Sequence, residues 1–512
     1  MTHWLLKKQK SILLFSLIIA GAFLRFYGLD HQSLWNDELF TWKCSVSDRW
    51  NDDGHASWER GTNSSVTKTI DTAIYDIHPP GYLILIHYFC KYFGDSEYML
   101  RAPSAFFGVL SILIIFFIGK HIYSEQEGLL AAALMAFLWC PIYFSQEART
   151  YSILLFTTVL STYCWIIILQ RLYTQNQLPN LFVIVGYIAA GGISCWLHYF
   201  GTFFILLQAI ASYVLFARKI RCLFLITFAL YLPIALVYLP WVPVMIMHSR
   251  LNAPTYTKPT TVAFFKFIKF CFNESIFFFF LVSVLYMRLL YWFFKTHKKN
   301  STPISDIFFT PEFCLALWLV VPFAGAFVKS VLGQGSVYQN KNLIISLPAA
   351  YLLLARAITT VPISSRKRMG TTIFLIGGFL YHLLFVMDYY ERPVKQQFRE
   401  GVEYIIDNTD PNEKTFIIGN AWDKDYYNYY FEKKGSSLRA SFNPIYLFFH
   451  PGGLKRAQQR VLNEISDHAI KHVWFISSFD SAPQPFVDFL NNHLHLVDYK
   501  HFIHIMVWRY KK

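Results

Sequence analysis

Ser11–Leu24 reads SILLFSLIIAGAFL, and Lys7, Lys8 and Lys10 stand just before it. A basic start followed by an apolar run resembles a secretory signal. However, no small-residue cleavage pattern follows, and further apolar runs come later, so the segment reads as a first transmembrane helix, about residues 11–29. Its flanking lysines place the N-terminus in the cytoplasm, because cytoplasmic loops carry the excess of Lys and Arg.

Working outward, the same pattern recurs over about 102–119, 128–144, 151–170, 181–197, 200–217, 222–244, 276–294, 311–330, 343–358 and 370–387. A bilayer core about 30 Å thick needs about 20 apolar residues per helix. With eleven spans, the clusters Arg218/Lys219/Arg221, Lys295/Lys298/Lys299 and Arg366/Lys367/Arg368 all fall on the cytoplasmic side. Composition agrees: 54% of residues are hydrophobic, 15% are charged and the mean hydropathy is +0.34, against about 25% charged in a soluble domain. The net charge of +14 does not indicate nucleic acid, since the cations sit in loop-sized clusters between apolar runs. Eight cysteines contain no CxxC pair. They read as small buried hydrophobes rather than as a disulfide framework or zinc site.

Residues 30–101 form a long polar loop on the outer side. Within it Gly81–Phe93 is apolar but only 13 residues long, too short to span, and reads as an interfacial helix. Residues 245–275 form a second outer loop, whose Phe264–Phe272 part is either another interfacial helix or an extension of the next span. From about Asp388 charge rises and apolar runs shorten to strand length. Helices are expected over Gln396–Asn408, Gly453–Ile465 and Pro485–His493. Strands are expected over Thr415–Gly419 and His472–Ser477, with His495–His501 and His504–Tyr510 pairing at the end. The fold expected is an α-helical polytopic membrane protein of about eleven transmembrane helices with a small C-terminal α/β soluble domain. Its domains are 1–387, including the outer loop 30–101, and an extracytoplasmic 388–512.

Five features could carry chemistry. Trp35-Asn36-Asp37-Glu38 sits beyond span one, and a carboxylate there is either a general base for an acceptor or part of a solvated acidic loop. His78-Pro79-Pro80-Gly81 opens the interfacial helix. The prolines suit a first turn, and His78 either contacts a phosphate, helps to hold a metal, or is incidental to the helix start. Ser145-Gln146-Glu147-Ala148-Arg149-Thr150-Tyr151 joins two spans, where Arg149 suits phosphate, a carboxylate or lipid headgroups. His198-Tyr199 forms a short outer turn. Gln339-Asn340-Lys341-Asn342 precedes span ten, and Lys341 either binds phosphate as a point charge or snorkels. All five fall on one membrane face. Acids for base catalysis beside cations for phosphate fit a substrate with a phosphate at the surface and a lipid tail in the bilayer.

These residues, with Arg101-Ala102-Pro103-Ser104-Ala105-Phe106-Phe107-Gly108-Val109-Leu110 and Asn342-Leu343-Ile344-Ile345-Ser346-Leu347-Pro348-Ala349, resemble the GT-C glycosyltransferases of the protein O-mannosyltransferase and aminoarabinose transferase type. The resemblance covers roughly residues 15–360 and rests on the order and spacing of several motifs. It implies a polyprenyl-phosphate sugar donor, inversion at the anomeric carbon, and catalysis at the outer interface of a plasma (inner) membrane. It points to Asp37 as the base, with Glu38 beside it and Glu147 as the second acidic position. His78, Gln146, Arg149, Tyr151, His198, Tyr199, Lys341 and Asn342 are the substrate-binding candidates. Relatives often have Arg where Lys341 stands, and Lys lacks bidentate geometry. The acceptor is a lipid, a glycan or a protein. No cofactor and no nucleic acid are expected, and a divalent metal near the outer loop is conceivable but not predicted. The competing readings are a transporter or flippase of lipid-linked glycans, whose ionisable groups would lie at mid-membrane, and a non-catalytic envelope assembly protein.

Overall fold

A computed structural model describes residues 2–46, 65–216, 223–250, 257–333, 335–410, 412–445, 453–466 and 469–512. The chain forms two compact units. One comprises Met1–Leu29, Thr69–Gly94 and Met99–Tyr389, and the other Asp30–Lys68, Asp95–Tyr98 and Tyr390–Lys512. The second unit therefore takes in parts of the 30–101 loop, which sequence contiguity had assigned to the transmembrane domain.

The first unit is helical. Eight described helices are long and apolar enough to cross a membrane: Gln9–Phe26, Glu97–Ile122, Tyr151–Gln175, Phe224–Arg250, Ile276–Lys299, Pro311–Leu332, Asn340–Thr359 and Ser365–Val386. A ninth is the pair Glu125–Phe137 and Trp139–Ser145, bent by 57°, and Leu181–Leu197 and Tyr199–Val214 are shorter apolar helices. Each of the eleven expected spans thus corresponds to one of these elements.

The bent pair shows how a broken helix survives inside a bundle, where freed backbone groups find no water. Leu138 is extended (ψ 144°), and Pro141 lies in the first turn of the following helix, a position that tolerates its missing N–H. The fully buried Arg25 donates to the Met135 carbonyl (2.6 Å) and the Ala136 carbonyl (3.2 Å). Asn273 Oδ1 accepts the Trp139 N–H (2.8 Å) while its Nδ2 donates to the Phe379 carbonyl (2.9 Å). Both sides of the break are satisfied by side chains from distant helices.

Gly81–Phe93 is a helix over the expected residues. Ala263–Cys271 is a separate helix rather than an extension of the next span. Asn273 and Glu274, both at positive φ (57° and 53°), divide it from Ile276–Lys299.

The second unit is built on a five-stranded sheet: β1 (Lys414–Asn420), β2 (Phe442–Ile445), β3 (Ile470–Ser478), β4 (His495–Phe502) and β5 (Ile505–Lys511), in the order β2-β1-β3-β5-β4. β2, β1 and β3 are parallel, and β3–β5 and β5–β4 are antiparallel. β1 and β3 are buried along nearly their whole length, as strands covered on both faces must be. On one face Phe416, Ile418, Val473, Phe475 and Trp508 pack against Ala457 and Val461 of helix Gly453–Ile465 and Phe486 and Leu490 of helix Gln484–His493. The edge strand β4 is exposed and carries Asp498 and Lys500, charges that discourage edge pairing. Neither β2 nor helix Lys424–Lys433 has a counterpart in the sequence reading. β2 is only four residues long and contains Pro444. Helix Lys424–Lys433 (KDYYNYYFEK) buries its tyrosines without an apolar stripe.

At the carboxyl end of β1, burial pushes the Asp423 carboxyl up to about 6, against hydrogen bonds from Ser478 and Asn420 and the charge of Lys43. An unfolded Asp titrates near ~3.9. A raised folded value means that this group favours the folded state below the unfolded pKa, and that the contribution is lost as pH rises through about 6. Relative to Asp423→Asn, the wild-type chain should lose thermal stability between pH 4 and 7. Melting curves at each pH would check this, and a constant difference would refute it.

Candidate active site

The helical unit gathers several of the singled-out residues in connections at one end of its helices. Asp76 directly follows helix Val66–Tyr75, and His78 precedes Pro79-Pro80 and helix Gly81–Phe93. That helix starts against the last turn of Leu181–Leu197. A Cβ on Gly81 would lie 2.5 Å from the Trp196 carbonyl oxygen, so only glycine permits the approach that brings His78 to His198. Their ring centroids are 5.2 Å apart.

The turn 146–150 is pinned from three sides. Ser104 Oγ donates to the Arg149 carbonyl (3.2 Å), Ser152 Oγ to the Ser104 carbonyl (2.7 Å), and Thr150 Oγ1 to the Leu197 carbonyl (3.2 Å). A Cβ on Gly108 would strike Ser145 Oγ at 2.1 Å, so the helix and the turn are in close contact. Glu147 and Arg149 are both buried in this turn. Tyr151, fully buried, opens the next helix. Its ring lies 6.2 Å from that of His198, and Lys341 Nζ lies 5.7 Å from its centroid.

The electrostatics follow from these placements. Asp76 Oδ2 lies 3.1 Å from His78 Nδ1. Burial pushes the Asp76 carboxyl up, but the charge and hydrogen bond of His78 and the charge of Arg149 prevail and hold it at about 2, so it is ionised. His198 is the opposite case. Burial, His78, Arg149 and Lys341 all disfavour its charged form and hold it well below the ordinary histidine range. The Phe200 N–H donates to His198 Nδ1 (3.1 Å), which leaves the ring proton on Nε2. A neutral N–H donor, a guanidinium and an ammonium thus converge beside aromatic rings. That set suits an anion with several oxygens, such as a phosphate.

Other candidates have structural tasks. Gln146 Nε2 donates to the carbonyls of Leu24 (3.3 Å), Arg25 (3.2 Å) and Tyr27 (2.8 Å), capping the end of the first helix. Asn342 Nδ2 donates to the Val337 carbonyl (3.1 Å) and shapes the loop before Lys341 and its 3-10 turn. Tyr199 OH lies 2.6 Å from His248 Nδ1, while His248 Nε2 lies 2.8 Å from the Ile74 carbonyl. The carbonyl requires the proton on Nε2, so Nδ1 accepts from Tyr199. Asp76 and His248 went unnoticed in the sequence. Asp76 had a local signal, a carboxylate two residues before a histidine and a Pro-Pro pair. His248 had none.

Asp37 and Glu38 belong to the second unit. They are not loop residues. They occupy the first turn of helix Asn36–Val46, where the helix dipole favours negative charge. The turn is held by residues that follow the last span. Asn36 N–H donates to Gln396 Oε1 (2.9 Å), and Gln32 Oε1 accepts from the backbone of Val394 (3.0 Å) and Lys395 (3.1 Å). Glu38 is fully buried, and its Oε2 accepts from Lys395 Nζ (3.1 Å) and Trp35 N–H (3.3 Å). Asp37 is partly exposed. The pair therefore divides into a buried ion-pair partner and a carboxylate at the surface of its unit. Among the described residues no three His, Cys, Asp or Glu side chains are grouped to hold a metal ion.

The fold is GT-C-like. The chain aligns over 97% of its length with 97% of ArnT from Cupriavidus metallidurans bound to undecaprenyl phosphate, at a TM-score of 0.56 and 10% identity. It aligns over 93% of its length with 70% of the Archaeoglobus fulgidus oligosaccharyltransferase tethered with an acceptor peptide, at a TM-score of 0.56 and 13% identity. In sequence, residues 77–247 match the family model for dolichyl-phosphate-mannose-protein mannosyltransferase. The chain is thus a GT-C-fold protein resembling the protein O-mannosyltransferase and aminoarabinose transferase families. No curated protein matches it.

Proposed function

We propose that the chain is an inverting glycosyltransferase that moves a sugar from a polyprenyl-phosphate donor to an acceptor outside the cytoplasm. The observation that carries this reading is the convergence of Arg149, Lys341 and neutral His198 in the helical unit. This anion site lies in the connections of an apolar bundle that can take a lipid tail. The acceptor hydroxyl or amine attacks the anomeric carbon. Its bond to that carbon forms as the carbon–oxygen bond to phosphate breaks, and Asp37 takes the proton. Polyprenyl phosphate leaves with the electron pair, its charge met by Arg149 and Lys341. The phosphate is already a good leaving group, so the step as written needs no metal and no nucleotide. The domain division read from sequence assigns catalysis to residues 1–387, with the outer loop 30–101 included.

The ionisable groups among the helices favour the enzyme over a transporter. Arg25 is spent on backbone carbonyls. Arg356 pairs with Glu312 (2.9 Å) and Glu127 (3.0 Å) and stacks on Tyr123. Transporters set ionisable groups along a substrate pathway near mid-membrane, whereas these are taken up by backbone carbonyls and an ion-pair cluster.

The test is the lipid that co-purifies with the chain. Mass spectrometry should find a polyprenyl phosphate or its glycosylated form. Arg149→Ala and Lys341→Met should each lower retained lipid phosphate about tenfold or more, since a charge-assisted hydrogen bond is worth ~1.5–3 kcal/mol. Lys341→Arg should retain it. Undiminished retention in both variants would sink the assignment.

A further inference from the structure

The parallel part of the sheet changes direction between β1 and β3. From β1 the chain goes to β2 on one side, then crosses to β3 on the other. In open sheets with parallel strands, ligands bind beyond the carboxyl ends of the strands at this point. Here the two carboxyl ends are joined by side chains. Ser478, the last residue of β3, hydrogen-bonds Asp423 Oδ2 from the segment after β1. Asp423 stands at the N-cap of helix Lys424–Lys433, yet its side chain makes no capping bond and turns to Ser478 instead. Asn420, the last residue of β1, also hydrogen-bonds Asp423. Asn420 is 8% exposed, and its Oδ1 has no partner among the described residues. An unmade bond at such a site costs free energy unless a ligand or water supplies it.

The chain neighbours of two of these floor residues are aromatic and exposed. Trp422 adjoins Asp423 and is 53% exposed, and Phe479 adjoins Ser478 and is 45% exposed. Phe479 and Asp480 both have positive φ (60° and 50°), a conformation that bulky residues rarely hold without a reason. The nearby cation, Lys43, is paired with Asp425 at 2.6 Å, so the floor presents acceptors rather than free positive charge. A phosphate or carboxylate is poorly served there. A pyranose is well served, since its C–H face packs on aromatic rings and its hydroxyls donate to amide and carboxylate oxygens. Helix Asn36–Val46 packs at this same edge. Lys43 joins it to helix Lys424–Lys433, and Tyr426 lies within electrostatic reach of both Asp423 and Asp37.

We propose that the carboxyl edge of β1 and β3, with Trp422 and Phe479 as its rim and Asn420, Asp423 and Ser478 as its floor, is a carbohydrate subsite that receives a glycan acceptor. Its role as an acceptor site rests on the transferase reading, whereas sugar binding does not.

The test uses the full chain in nanodiscs, titrated calorimetrically with cellohexaose, maltohexaose, mannohexaose and the hexamer of N-acetylglucosamine. At least one should bind saturably. Trp422→Ala, Phe479→Ala and Asn420→Ala should each weaken that binding about tenfold or more. Failure of all four sugars to bind, or binding that Trp422→Ala and Phe479→Ala leave unchanged, would overturn the proposal. Sugar binding lost in the rim variants of a chain that carries no lipid-linked donor would support the subsite and refute the transferase.

Discussion

Replacing Asp37 with Asn should abolish sugar transfer while leaving a folded, membrane-inserted protein. General-base catalysis by a positioned carboxylate contributes ~10²–10⁴-fold, and the amide cannot take the acceptor's proton. The substitution is nearly isosteric. Asp37 is partly exposed, whereas Glu38 beside it is fully buried. The backbone contacts of its turn remain, including Thr41 Oγ1 to the Asp37 carbonyl (3.1 Å). The loss should therefore appear in the rate of transfer and not in retained lipid phosphate, which depends on Arg149 and Lys341. Transfer rate, bound lipid and melting temperature, measured on one preparation, separate these outcomes. Full activity in Asp37→Asn would remove it from the mechanism.

The largest stability effect is expected one residue away. Glu38 is fully buried, and the Lys395 side chain is only 6% exposed. Removing one partner of such a pair takes the opposite charge away from the other in a buried setting, at a cost of about 3–5 kcal/mol. Lys395→Met should therefore unfold the second unit at a much lower temperature. The double variant Glu38→Gln/Lys395→Met should recover a large part of that loss, because two neutral groups of similar volume can replace a buried pair at little net cost. Thermal unfolding of the four proteins in the cycle gives the coupling. Additive effects would show that the pair is not what holds the turn. Because this turn carries Asp37, Lys395→Met should also lower activity, whereas Lys395→Arg should largely restore it.

The helices were legible because bilayer thickness and the 3.6-residue period act on local sequence. Gly81–Phe93 and Gly453–Ile465 have the bounds their apolar patterns imply. Even the two shorter apolar helices stood out, since their lack of charge needs no partner to be visible. Side-chain tasks were legible only where chemistry is local. Glu38 looked like a solvated acid because its partner lies 357 residues further on. Gln146 looked like a ligand contact because the helix end it caps is more than a hundred residues earlier. Asp76 gains its meaning from Arg149, which only folding brings near. Helix Lys424–Lys433 escaped notice because tyrosines bury their rings while presenting polar atoms, so its sequence shows no stripe.

The second unit also bears on how the chain is made. Its first segment, Asp30–Lys68, is synthesised more than three hundred residues before Tyr390–Lys512. At ~5–20 residues per second, helix Asn36–Val46 waits on the order of tens of seconds for Lys395, Gln396 and Tyr430 to emerge. During that interval every span between them must be inserted. Glu38, sealed in the finished protein, stays hydrated throughout, and its carboxylate keeps the waiting segment soluble until the ammonium arrives. The body that carries Asp37 can thus close only after the spans between its segments have been made. A chain terminated before residue 390 would leave a bundle in which that carboxylate still lacked Lys395 and Gln396.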